Sequence, residues 1–213
     1  MKKWLALAAT AVLGASLLIS GCGSSTNNAS SSGSKEVLKV AANPVPHAEI
    51  LEQVKPILAK EGVDLQIVEF TDYIQPNMAL SSHEVDANFF ANVPYQNNYN
   101  KDHGTNFVSF APVHIEPLAI YSQKIKDLKD LPNGAKVAIP SDPTNSARAL
   151  LLLQSAGLVT LKDPTGLTNT PFDVTSNPKN IQITELEAAQ IPRSIQDLDA
   201  AVINANYALP AGL

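Results

Sequence analysis

The side chains that could do chemistry in this 213-residue chain gather in short motifs. Ser141-Asp-Pro-Thr-Asn145 reads as the exit of a strand opening a helix, with an N-cap candidate and a proline in the first turn. Unpaired backbone N–H groups at such a start attract an anion. Arg148, in an otherwise Ala/Leu run, can grip a carboxylate with two parallel hydrogen bonds, unless it sits on the solvent face of the helix. Tyr73, Phe89, Phe90 and Tyr95 can form an aromatic wall. A polarizable thioether gains about 0.3 to 1.5 kcal/mol per ring contact against such a wall. Strand alternation sends Phe89 and Phe90 to opposite faces, so one of the two is expected in the core. His114 can donate to a carboxylate or act as a hydrogen-bonded hinge residue, and Glu116 can receive an ammonium. Asn204 and Asn206 can offer amide oxygen to an ammonium and amide nitrogen to a carboxylate.

Other chemistries find little support. Histidines 47, 83, 103 and 114 show no His-x-x-x-His spacing, and the single cysteine permits no Cys-x-x-Cys pair and no intrachain disulfide, so no metal is expected. His47, after Pro44-Val-Pro46, reads as a helix-start or rim residue. No Gly-x-Ser-x-Gly nucleophile elbow is present, and no acid pair is singled out by spacing, so no catalytic residue and no cofactor is expected. With 15 basic against 20 acidic side chains, a net charge of −5 gives no basic footprint for nucleic acid.

These residues need a frame that brings them together. From Lys35 the pattern alternates between strand and helix: strands over 37–42, 64–70, 85–90 and 106–112, with helices over 46–61, 73–82 and 94–102. A second unit carries strands over 117–122, 135–139, 181–186 and 200–204, a helix over 147–156 stopped by Gly157, and irregular pieces over 158–179. Such alternation predicts an α/β fold of two lobes, each a mainly parallel sheet flanked by helices, as in periplasmic binding proteins. Ligands of open α/β sheets sit beyond the carboxyl ends of the strands, and each motif above follows a strand.

The amino terminus reads separately. Lys2-Lys3, an apolar stretch and Ile19-Ser-Gly-Cys22 form a secretory signal peptide over 1–21 that resembles the bacterial lipobox, with Cys22 as the lipidated residue. Residues 22–34, rich in Ser, Gly and Asn, make a flexible tether. The expected product is exported and held at the extracytoplasmic side of the cell membrane by the Cys22 lipid.

Five blocks in order name a family: Ala42-Asn-Pro-Val-Pro-His-Ala-Glu49, Glu69-Phe-Thr-Asp-Tyr-Ile-Gln-Pro-Asn77, Val113-His-Ile-Glu-Pro117, Val137-Ala-Ile-Pro-Ser-Asp-Pro-Thr-Asn-Ser-Ala-Arg148 and Leu186-Glu-Ala-Ala-Gln-Ile-Pro-Arg193. From Val37 to Leu213 the chain resembles the methionine-binding lipoproteins, the MetQ or NlpA family. The resemblance implies the substrate-binding component of an ABC importer, taking methionine or a close analogue and partnered by a permease and its ATPase. It implies Tyr73, Phe90, Tyr95, His114, Glu116, Asn145, Arg148, Asn204 and Asn206 as ligand contacts, and favours Phe90 over Phe89. It divides the chain into a first lobe over 35–113, a second over 114–205 and the start of a return crossing over 206–213. Two departures stand out: Asn92 replaces a frequent histidine, and relatives usually continue past the segment matched by Asn206 to Leu213, closing the first lobe. A truncated surface lipoprotein with an adhesive role is the alternative expectation.

Overall fold

A computed structural model describes residues 35–213. The expectations for the signal peptide, Cys22 and the tether up to Ser34 lie outside the described residues.

Two sheets form, one from each unit of the alternating pattern. The first has the order β2-β1-β3, with β1 Glu36–Ala42, β2 Val63–Glu69 and β3 Ala87–Phe89, all parallel. Between β1 and β2 runs α1, Glu49–Lys60, with Glu49 and Glu52 in its first turn and Lys60 in its last, charges that complement the helix dipole. Gly62, at φ 87°, takes the left-handed conformation that lets the chain leave α1 and enter β2. The α-helix starts later than the expected residue 46: Pro44–Ala48 form a separate turn in which Val45 is extended, and regular α-helix begins at Glu49. Between β2 and β3 lies α2, Gln75–Ser81, and α3, Val93–His103, follows β3.

The second sheet has the order β4-β9-β5-β8, with β4 Leu118–Tyr121, β5 Lys136–Pro140, β8 Gln182–Leu186 and β9 Ala200–Asn204. Strand β5 runs parallel to β8 and β9, and β4 closes the edge antiparallel to β9. The α/β class and the mainly parallel sheets expected from the pattern are therefore present. Helix α4, Pro143–Ser155, follows β5 and packs Leu150 and Leu153 against Val137, Ile139 and Val202. The opposite face of the sheet is covered by Ile191 of the short helix α5, Ile191–Ser194, together with Ile195 and Ala208. Burial on both faces is why Val137 to Ile139 and Ala200 to Ile203 read as unbroken apolar runs. The irregular stretch after α4 holds a two-stranded ladder of β6 Thr160–Leu161 and β7 Val174–Ser176.

The first sheet is covered less completely. Its buried cluster is Ala41, Ala79 and Val85, while Ile50, Leu51, Val54 and Leu58 on α1 are only half-buried and Ile57 is exposed. The strand expected over 106–112 does not form. Val108 and Phe110 are 86% and 89% exposed, and a strand exists only with a ladder partner. Backbone pairing at Phe107 is supplied instead by the Asn100 amide, which donates to the Phe107 carbonyl at 2.8 Å and accepts its N–H at 3.0 Å.

Candidate functional site

The exits of the strands converge. Beyond β1, Asn43 is buried and its amide donates to the carbonyls of Phe70 and Asp72, locking the β1 and β2 exits together. Asp72 then accepts the N–H groups of Ile74 and Gln75, which sets the turn into α2 and fixes the adjacent Tyr73. Asn92 caps α3 by accepting the Tyr95 N–H at 2.9 Å, so the position that departs from the family pattern has a structural task here. Eight of the nine expected contact residues line one cavity of about 1060 Å³: Tyr73, Phe90, Tyr95, His114, Glu116, Asn145, Arg148 and Asn204. The ninth, Asn206, opens the short helix α6, Ala205–Ala208, and accepts a 2.6 Å hydrogen bond from the Tyr73 hydroxyl.

The polar end of the cavity is built around Asn145. Its Oδ1 accepts from the Arg148 guanidinium at 2.8 Å and from the Asn204 amide at 3.1 Å, and its Nδ2 donates to the Asp142 carboxylate. Arg148 also donates to the Glu116 carbonyl at 2.9 Å. Two partners leave donors of the guanidinium available to a ligand. Burial lowers the Arg148 pKa, opposed by the charges of Tyr73, Asp142 and Glu116.

The anion-attracting helix start expected at Asn145 is occupied from within. The Asp142 side chain caps α4 by accepting the Asn145 N–H at 2.9 Å, and burial pushes its own pKa up. A carboxylate already seated there disfavours a second anion, which leaves Arg148 as the cation of this end of the cavity.

Asn204 and Asn206 carry the clearest signal. With its Nδ2 committed to Asn145, Asn204 leaves Oδ1 buried without a partner; with its Oδ1 committed to Tyr73, Asn206 leaves Nδ2 likewise. A buried polar group without a hydrogen bond costs about 1–3 kcal/mol, so an orphaned acceptor and an orphaned donor are tolerated where a ligand supplies both partners.

The aromatic wall differs from the expectation in one respect. Phe90 faces Tyr73 and Tyr95 at ring distances of 6.0 and 5.8 Å, and the Tyr95 hydroxyl donates to the Tyr73 carbonyl. Phe89 is not in the core: it is half-buried on the same cavity, edge-on to His47 at 4.9 Å and His114 at 5.5 Å. Strand β3 ends at Phe89, so alternation no longer separates it from Phe90. Burial raises the pKa of Tyr73, Tyr95 and Tyr207, keeping all three hydroxyls neutral.

His47 lies at the start of α1, in the turn Pro44–Ala48, as one of its two expected readings had it, but not on the rim. It is 2% exposed rather than at the rim, and its Nε2 lies 2.8 Å from Glu116 Oε1, which His114 Nε2 reaches at 2.6 Å. Burial opposes ionisation of Glu116, but the two imidazole hydrogen bonds and their charge outweigh it and hold the carboxyl below its usual range. His83 and His103 lie outside this cavity lining.

Two α/β sheets whose strand exits meet at one cavity of aromatic and amide side chains have the architecture of a substrate-binding protein. The pattern of the NlpA lipoproteins matches residues 38–213, and the chain belongs to that family. The D-methionine-binding lipoprotein MetQ of Salmonella typhimurium is 42% identical over 215 residues, covering 99% of this chain and 77% of that protein. A nutrient binding protein of Burkholderia cenocepacia, solved bound to methionine, is 48% identical with a TM-score of 0.79, over 83% of this chain and 75% of that one. A periplasmic substrate-binding protein of an ABC transporter from Coxiella burnetii is 45% identical with the same TM-score, over 83% and 74% of the two chains.

Proposed function

We propose that this chain captures methionine reversibly in the cavity between its two sheets and delivers it to a membrane permease driven by an ATPase, with no covalent chemistry. The observation that carries the reading is the two orphaned amide atoms, Asn204 Oδ1, whose side chain shares Asn145 with Arg148, and Asn206 Nδ2, whose side chain is bonded to Tyr73 of the Tyr73–Phe90–Tyr95 wall. An α-amino acid supplies what each lacks: ammonium for the amide oxygen, carboxylate for the amide nitrogen and guanidinium, and a side chain for the wall. A thioether is the side chain that aromatic rings favour without asking for a hydrogen bond. The methionine held by the Burkholderia cenocepacia relative supports the same ligand. L-methionine is the first choice, and D-methionine, named for the Salmonella typhimurium relative, is the second. In this reading residues 35–113 and 114–205 are the two lobes that grip the ligand, and lipid on Cys22 keeps the protein beside its permease.

A melting-temperature screen of the full chain against the twenty amino acids and D-methionine tests the proposal. Methionine raises the melting temperature by mass action. Arg148→Ala removes charged hydrogen bonds worth about 1.5–3 kcal/mol each and abolishes the shift at the same ligand concentration. A folded protein unmoved by every compound in the screen overturns the reading.

A further inference from the structure

We propose that His47, His114 and Glu116 form a binding site for a divalent transition-metal ion of the zinc class. Their donor atoms all lie within 4.8 Å of one another. They come from separate parts of the chain: His47 from the turn after β1, and His114 with Glu116 from the segment that joins the two sheets. Two imidazoles and one carboxylate are the three-ligand set of zinc sites that keep a fourth position open. All three residues line the cavity, which gives that fourth position room for water or another small donor.

One charge at the cluster favours a cation and one beside it opposes it: the Glu116 carboxylate and the Arg148 guanidinium. Phe89 packs edge-on to both imidazoles and forms an apolar wall beside them. The neighbouring guanidinium of Arg148 is directed to the main-chain carbonyl of Glu116. Ligand atoms about 2.0–2.2 Å from a common tetrahedral ion stand roughly 3.3 Å apart, so the present 2.6 and 2.8 Å contacts need to open by about half an ångström. His114 and Glu116 have side chains 26% and 21% exposed, on a segment outside any ladder, and can make that adjustment. His47 Nδ1 is buried without a partner, and it stays so in either tautomer. Metal on Nε2 leaves the ring proton on that Nδ1, so the coordinate bonds have to outweigh one unpaired buried N–H as well as the hydrogen bonds to Glu116. The inference rests on this geometry and not on methionine, although the two readings share His114 and Glu116.

The test uses the full 213-residue chain with Cys22→Ser, which removes the lone thiol as a competing ligand. The metal-free protein is titrated with Co²⁺ alone, followed by visible absorption, and then with Zn²⁺ by calorimetry. Expected are one ion per chain, a ligand-field band of a low-coordinate site, and displacement of Co²⁺ by Zn²⁺. His47→Ala and His114→Ala each weaken binding by at least about tenfold, whereas His83→Ala and His103→Ala leave it unchanged. Far-UV circular dichroism identifies which of the two ligand variants keeps the fold, and that one decides. Absence of saturable binding at one ion per chain, or binding unaltered in the folded ligand variant, overturns the site. Methionine melting shifts are read on the metal-free protein in parallel. A shift without ion uptake overturns the metal site alone, and ion uptake without a shift overturns the methionine reading alone.

Discussion

At the scale of single residues, the site works by leaving selected hydrogen-bonding atoms unpaired and fixing their neighbours. The Tyr73 hydroxyl occupies Asn206 Oδ1 and so fixes which face of that amide points at a ligand. Tyr73→Phe frees the amide to turn. Methionine affinity then falls about five- to tenfold, one neutral hydrogen bond's worth, and the ligand-free melting temperature falls as well, because Asn206 Oδ1 is left buried without its partner; calorimetric titration reads the first and a melting curve the second. Much of this site was legible in the sequence, because Arg148, Asn145, Asn204 and the aromatic residues each follow a strand or open a helix in a recognisable motif. His47 was not legible as a site residue. Its partners lie 67 and 69 positions away, and sequence motifs report metal or hydrogen-bond clusters only when one element supplies several members. Phe89 was misread for a simpler reason: alternation applies inside a strand, and the strand stops there.

At the scale of elements, the two sheets differ in how their burial is achieved. Strands β5 and β9 are covered on both faces, and α4 supplies Leu150, fully buried against them. Leu150→Ala leaves a cavity that the surrounding strands cannot collapse around, and chemical denaturation of the variant reads a loss of about 2–5 kcal/mol. Asp199 joins β9 to β5 and β4: its carboxylate accepts the Lys136 N–H at 2.8 Å and faces Lys124 at 3.2 Å, which holds its pKa below the ordinary value. A carboxyl with a depressed folded-state pKa stabilises the fold above its unfolded pKa, near 3.9, and that contribution is lost as the pH falls through the folded value. Asp199→Asn therefore lowers stability at neutral pH and flattens the acid limb below about pH 4 in denaturation curves taken across pH. Strands with strong periodicity, such as β5 and β9, matched their expected ranges closely, whereas α4 begins at Pro143, a turn before the expected residue 147, because Asp142 caps it. The segment over 106–112 did not, because its apolar residues favour a strand locally while the ladder partner is a tertiary matter.

At the scale of the whole molecule, the proposed ligand capture rests on residues from both units of the chain meeting at the cavity. Tyr73, Phe90 and Tyr95 belong to the first unit of the chain, and Asn145, Arg148, Asn204 and Asn206 to the second; the 2.6 Å bond from Tyr73 to Asn206 already bridges them. A ligand with one charged end on each amide and its side chain on the aromatic wall stabilises this arrangement by the free energy of its own binding. A crystal structure of the chain grown with saturating L-methionine tests this most directly. The account predicts the ligand carboxylate on the Arg148 guanidinium and Asn206 Nδ2, the ammonium on Asn204 Oδ1, and the thioether against Phe90 and Tyr95. Methionine bound away from these residues, or a cavity that stays empty at saturation, contradicts it.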